Sequence, residues 1–375
     1  MSDKPTLDRF HRRIDALRVL LRADGDSAQA LLVASTTNIT YLTGFSGDSS
    51  RLLVTPDRAI LISDGRYTEQ IERECPGLEV SIRAVGKTLV EGIAEVVTKL
   101  AIPKAAFESA HLTVSEHLNL KEKTPGTHWE GATLFVERLR LVKDSIEIEA
   151  IREAVRIAES AFGAWLRDLP AALDLTEKAL ADSLEFALRR AGATRASFPP
   201  IIAAGPNAAL PHGRPTFDTR LRDHDFTLVD WGACGGLYLS DLTRMVLHDK
   251  PRERFESVYQ AVLLAQERAI AAVRPGVNSK SIDTVARQTL EELGFGAQFT
   301  HSLGHGIGLD VHELPTLGRE PAFDLQPGMI FTIEPGVYLP GWGGVRIEDD
   351  VLVTDEGAQV LSTLPKSLES VQRRG

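Results

Sequence analysis

Two segments of this chain place pairs of acids inside apolar, strand-like runs that fold back on glycine. The first is FTLVDWGACGGLYLSDLTRMVL, from Phe226 to Leu247. Two apolar runs flank its ACGG, which is a hairpin signal. A turn centred between Gly235 and Gly236 sets Asp230 directly opposite Asp241, with Cβ atoms ~4.5–5.5 Å apart. The second is FTIEPGVYLPGWGGVRIEDDVLVT, from Phe331 to Thr354. A fold about Gly341 sets Glu334 opposite Glu348, and Arg346 shares the face of Glu348 two residues earlier. Like charges facing each other across an apolar sheet repel, and a bound cation turns that repulsion into attraction. A single pair is compatible with a surface hairpin. Two pairs, each flanked by core-type residues, point to a metal site.

Between the hairpins lies THSLGHGIGLDVHE, from Thr300 to Glu313, which reads as strand–loop–strand because it has no helical stripe. It carries His301, His305 and His312 among glycines that let ligands approach the backbone closely. Carboxylates alone would suit calcium or magnesium. One neutral imidazole added to four carboxylates suits a pair of borderline ions, with manganese, cobalt, iron or zinc as candidates. His212, in NAALPHGRP, sits in a Pro/Gly-bounded loop and by itself carries little information.

The rest of the chain sets the frame. Its 375 residues suffice for two domains. With 43% apolar and 25% charged residues, a large core is expected and a long disordered tail is not. The net charge of −10 and the lack of a basic stripe argue against a nucleic-acid or anionic-membrane surface. Two distant cysteines, Cys75 and Cys234, make no disulfide framework. No run approaches the ~18 apolar residues of a membrane span, and MSDKPTLDRF has no signal core, so a cytoplasmic protein is expected. Strands are expected at ALLVA, RLLVT and AILIS in the first third, after a helix through Phe10 and Leu21. LVKDSIEIEAIREAVRIAESAFGAWL reads as a long helix, and Thr176 as the cap of another that ends at Gly192. The domain boundary is placed near residue 130, giving domains 1–130 and 131–375.

These motifs together resemble the "pita-bread" metallopeptidases, on the branch of aminopeptidase P and prolidase. HSLGHGIGLDVHE, DWGACGGLYLSDLTR, TIEPG and GGVRIEDD all fit that branch's pattern. NITYLTGFSGDSS and DGRYTEQ look like its N-terminal domain, and LRLVKDSIEIEAIREA like its inter-domain junction. The fold implied is α/β (α+β): a curved, mostly antiparallel sheet flanked by helices, plus a smaller creatinase-like N-terminal domain. The resemblance makes Asp230 a ligand of one metal and Asp241 and Glu348 bridges between two. His305 and Glu334 hold the second. His212, His301 and His312 line the substrate site, and Arg346 supports the bridging carboxylate. The implied cofactor is two divalent ions, manganese first, with cobalt or zinc as alternatives. The implied partners are short proline-containing peptides and a second copy of the chain in a homodimer.

The expected reaction is hydrolysis of the bond before a proline, a tertiary amide with no N–H to recognise. Glu334 is expected to move the proton, His312 to grip the carbonyl oxygen, and His212 and His301 to contact the substrate main chain. A strict dipeptidase must also hold the free carboxylate after the proline, normally with an arginine. The first position that resembles the prolidase pattern is Thr316, followed by Arg319, and the insert VYLPGWG has no arginine. That leans toward Xaa-Pro aminopeptidase, with Xaa-Pro dipeptidase as the alternative. An inactive peptide-binding relative would show substituted ligand positions, and none is seen.

Overall fold

The computed structural model describes residues 4–23, 28–169, 173–248, 252–320 and 322–371. The chain forms two compact units, Met1–Arg140 and Leu141–Gly375. The first holds six strands: β1 (Leu31–Val33), β2 (Arg51–Val54), β3 (Ala59–Ser63), β4 (Glu79–Ile82), β5 (Lys104–Glu108) and β6 (His128–Ala132). They form one mixed sheet in the order β4-β3-β2-β1-β5-β6. The three strands expected from ALLVA, RLLVT and AILIS are its centre. Leu32, Leu53, Ile62 and Phe107 bury its face under the helix Leu89–Lys99, whose start is closed by a Thr88–Glu91 capping box.

The division falls ten residues later than the expected 130. The helix Phe135–Arg140 is bound into the first unit by side chains that a composition-based boundary overlooks. Arg140 donates to Asn38 Oδ1 at 2.7 Å, and Tyr41 donates its hydroxyl to the Leu139 carbonyl at 3.0 Å. Asn38 in turn donates to the buried Glu108 at 2.6 Å.

The second unit is built from β7 (Arg195–Ala196), β8 (Ile201–Ala204), β9 (Phe226–Trp231), β10 (Ala233–Gly235), β11 (Tyr238–Leu239) and β12 (Leu242–Leu247), then β13 (Gly304–Gly306), β14 (Glu313–Leu317), β15 (Ile330–Ile333), β16 (Gly336–Leu339), β17 (Gly343–Arg346), β18 (Asp349–Thr354) and β19 (Gly357–Val360). Among the described residues every ladder here is antiparallel. One sheet runs β12-β9-β8 and another β14-β13-β15-β18-β19. An isolated bridge between Thr243 of β12 and Glu348, the residue before β18, links them.

Helices Ser145–Asp168 and Glu177–Arg190 pack on this unit through Phe162, Trp165, Leu184 and Leu188, with Trp231 stacked on Phe162 at 4.1 Å. The long helix starts at a capping box of Asp144 and Glu147, and the next at Thr176. Helices Glu253–Ala272 and Ser279–Glu292 cover a second core around Tyr259, Ile282, Phe331 and Val351. The two-residue period of β15 and β18 sorts their residues: Phe331, Ile333, Ile347, Val351 and Val353 enter that core. The alternate residues Thr332, Glu334, Glu348 and Asp350 face the other way. No helix among the described residues is long and apolar enough to cross a membrane.

Candidate metal centre

The second hairpin folds as its glycines suggest. Ile333 pairs with Asp349 below the site and Gly336 with Arg346 above it, one register centred on Gly341. Glu334 therefore stands opposite Glu348, in the gap between two ladders.

The first hairpin does not fold about Gly235 and Gly236. Its last pair is Gly235 with Tyr238, so the turn is Gly236–Leu237, with Gly236 at φ +72°. Thr243, not Asp241, faces Asp230. The cause is tertiary: a Cβ on Gly235 would lie 3.0 Å from the backbone nitrogen of Ala154. Gly235 is small to let the helix Ser145–Asp168 approach, not to make the turn. The register shifts by two residues, an even number, so both aspartates keep the same face as diagonal rather than opposed neighbours.

The hairpins meet where Glu348 donates its backbone N–H to the Thr243 carbonyl at 3.2 Å. The Thr243 hydroxyl donates to Glu348 Oε2 at 2.6 Å. His305 arrives on β13, whose Gly306 pairs with Phe331 of β15. This approach needs glycine beside the histidine, since a Cβ on Gly304 would lie 1.9 Å from the Thr332 carbonyl oxygen. Asp241, His305 and Glu348 then offer ligand atoms all within 4.8 Å of one another. His305 Nε2 also lies 3.4 Å from Glu334 Oε1. Its Nδ1 lies 3.1 Å from the Gly306 carbonyl, which assigns the proton to Nδ1 and leaves the Nε2 lone pair aimed at the acids.

The donor set fits divalent cations. Asp230, Asp241 and Glu348 are each less than a tenth exposed. Asp230 Oδ1 and Asp241 Oδ1 are buried and accept no hydrogen bond. Burial first, then repulsion from Glu348, Asp230 and Glu334, drives the Asp241 carboxyl well above the ordinary range. Burial, then Glu334 and Asp230, does the same to Glu348, and burial lifts Glu334 to about 7. Burial also pushes His305 down to about 4, so its imidazole is neutral at pH 7. Neutral imidazole and acids that repel one another are the state a cation reverses, by ionising the acids and accepting the lone pair.

Arg346 differs from expectation. Its direct partner is Asp230, at 2.5 Å, and it reaches Glu348 only through Thr243, to whose hydroxyl oxygen Nε donates at 3.0 Å. Thr243 faces Asp230 in the corrected register, which is why it can stand between Arg346 and Glu348. The remaining Arg346 donors go to the Pro211 carbonyl at 3.1 Å and the Tyr338 hydroxyl at 2.9 Å.

Three consecutive acids take three different partners. Glu348 faces the site. Asp349 turns into the core, where Arg244 at 2.7 Å and Lys366 neutralise it and hold its pKa low despite burial. Asp350 accepts the Asp241 backbone N–H at 3.1 Å, which fixes the backbone that carries the Asp241 carboxylate.

His212, His301, His305 and His312 all line one cavity of about 930 Å³ with the four acids. His301 Nε2 lies 2.9 Å from the Tyr338 hydroxyl, and burial pushes His301 down to about 4. His312 packs against His305 with ring centroids 4.2 Å apart. Residues 149–355 match the model of metallopeptidase family M24. The chain belongs to metallopeptidase family M24. Residues 13–142 match the creatinase/prolidase N-terminal domain. The Xaa-Pro dipeptidase from Bacillus anthracis is 35% identical, with a TM-score of 0.90 over 96% of this chain and 99% of that one. The X-Pro aminopeptidase from Thermotoga maritima is 34% identical, with a TM-score of 0.84 over 92% and 98%. The Xaa-Pro dipeptidase of Pyrococcus furiosus is 34% identical over 346 residues, 92% of this chain and 96% of its own. The pita-bread fold expected from the motifs is thus the fold of this M24 chain, and the chain is a hydrolase.

The side chains that connect this M24 site are not legible in its sequence motifs. Thr243 and Tyr338 are lone hydroxyls in strands, which give no local signal. Lys143 gives none for a different reason, being remote in sequence from its partner Glu313. The two form a buried pair at 3.3 Å, which ties down the residue after His312. Glu313 also accepts the Asp310 N–H at 2.9 Å and fills the space that Gly308 leaves.

Proposed function

We propose that this chain is an Xaa-Pro dipeptidase that uses two divalent ions, manganese first. Asp230, Asp241, His305, Glu334 and Glu348 hold the ions, and the observation that carries the reading is their convergence on one cavity, where Asp230 Oδ1 and Asp241 Oδ1 are buried without a hydrogen bond. The aminopeptidase expectation rested on Thr316 and an arginine-free insert. The dipeptidase alternative has the better support, since the relatives named above from B. anthracis and P. furiosus carry that name. The T. maritima relative carries the other, so peptide length is the property to test.

The ions, when bound, supply positive charge that polarises the scissile carbonyl and activates a water as nucleophile. Glu334 takes the proton of that water and delivers it to the proline nitrogen, which must be protonated because an amide anion is too basic to leave. His312 donates to the carbonyl oxygen as charge builds on it. His212 and His301 hold the substrate main chain, and Tyr338 orients His301. Burial raises the Asp230 carboxyl, and Arg346 opposes that rise and aims the group. A homodimer in the cytoplasm remains part of the proposal, with light scattering as its check.

The test compares kcat/KM of manganese-loaded protein on an Xaa-Pro dipeptide and an Xaa-Pro-Xaa tripeptide. Preference for the dipeptide is expected. Equal or better cleavage of the tripeptide refutes dipeptidase, and cleavage of neither refutes the substrate class.

A further inference from the structure

A dipeptidase needs a cation for the carboxylate that follows the proline ring. Thr316, half-buried, lines the cavity and offers none. Arg319 is exposed and is not among the described residues that line the cavity. Three other cationic side chains do line it: Lys178, Arg214 and Arg346. Arg346 is committed to Asp230, Thr243, Tyr338 and Pro211. Lys178 is paired with Asp182 on its own helix and lies over the Phe217 ring at 5.9 Å. Among the described residues, Arg214 has no ion pair, hydrogen bond or ring contact.

The loop that carries Arg214 is held at both ends. Before it, the Pro211 carbonyl accepts from Arg346, so the loop is tied to the arginine of the metal cage. After it, Thr216 donates its N–H at 2.9 Å and its hydroxyl at 2.8 Å to Glu177 Oε2. Glu177 is 0% exposed and also accepts from Ala204 and Asn207. Gly213 donates to the Leu210 carbonyl at 3.0 Å, which closes the turn, and Pro211 and Pro215 stiffen it. Holding the loop in place lowers the ordering cost of an ion pair formed at its tip. Phe198, Pro199 and Ile201 line the same cavity and offer an apolar wall for a proline ring.

We propose that Arg214 is the specificity-determining residue that receives the free carboxylate of the substrate's C-terminal proline, in place of an arginine at Thr316. The inference rests on the dipeptidase reading. A guanidinium gives two parallel N–H donors to a carboxylate and loses that match when the carboxylate becomes an amide.

The experiment measures kcat/KM of manganese-loaded wild type, R214M and R214M/T316R on an Xaa-Pro dipeptide and on the same dipeptide with its C-terminus amidated. Wild type should prefer the free acid. R214M should lose that preference by roughly 10- to 100-fold, chiefly through KM. R214M/T316R should recover part of it, because Thr316 faces the same cavity. R214Q carries the same expectation if R214M folds poorly. If wild type prefers the free acid and both single variants keep that preference undiminished, Arg214 is not the receptor and the dipeptidase reading survives. If wild type shows no preference, or cleaves neither compound, both readings fall together.

Discussion

Replacing Thr243 by valine isolates a residue that touches no substrate in this account and yet should govern metal affinity. The side chain is 0% exposed, and valine keeps its shape. Two bonds go: the hydroxyl's donation to Glu348 at 2.6 Å and its acceptance from Arg346 Nε at 3.0 Å. The first favours the ionised form of Glu348, which is the form that binds a cation. A hydrogen bond to a charged group contributes about 1.5–3 kcal/mol, so manganese affinity should fall roughly 10- to 100-fold. The second loss leaves a buried guanidinium donor unmet and costs the metal-free fold about 1–3 kcal/mol. Competition against a chelating dye reads the affinity, and urea unfolding in excess chelator reads the stability. T243S retains the hydroxyl and should keep most of both. Binding by T243V within about twofold of wild type would refute the role of Thr243 as the orienting group of Glu348.

Two further outcomes follow from the same geometry. Burial holds the folded Asp241 and Glu348 carboxyls well above their unfolded values and Glu334 near 7, so their contribution to metal-free stability is full below the unfolded carboxylate range and is lost as pH rises, for Glu334 through about 7 and for the other two at higher pH. Thermal scans should show the Tm gap between manganese-loaded and metal-free protein widening from about pH 5.5 to about pH 8, and a constant gap would sink this account. Y338F removes the hydroxyl shared by His301 and Arg346, and steady-state kinetics should show kcat/KM reduced about tenfold with little change in fold. Unaltered kinetics would mean that His301 is positioned by something else.

Much of the site was legible because it is made by short-range rules. A two-residue period decides which side chains share a strand face, so DDV following Glu348 could be sorted into alternating roles once β18 was recognised. The loop PGWGG has no competing use for its central glycine: a Cβ on Gly341 would meet nothing, so its positive φ alone explains it. The register built on it is accordingly correct. ACGG offers two glycines with different duties, and nothing local says which one turns the chain. The positive φ of Gly236, and the 3.0 Å that would separate a Cβ on Gly235 from the Ala154 nitrogen, assign them, the latter across some eighty positions of sequence. Contacts of the same long-range kind bind Arg140 to Asn38 within the first compact unit.

The sequence by itself determined which donors are available to a metal, four acids and a histidine in runs too apolar to tolerate unpaired charge, and a family pattern dense enough to name. Those properties depend on residue type and on spacing within single hairpins. Only the tertiary structure decided how the groups are joined. It made Asp230 and Asp241 diagonal neighbours, gave Arg346 to Asp230, and placed Thr243 between Arg346 and Glu348. It also set Arg214 on the cavity with no partner among the described residues while Arg346 and Lys178 were occupied. The physical reason is that hydrogen bonds and ion pairs between elements depend on packing to fractions of an ångström, which residue spacing within a single hairpin does not specify.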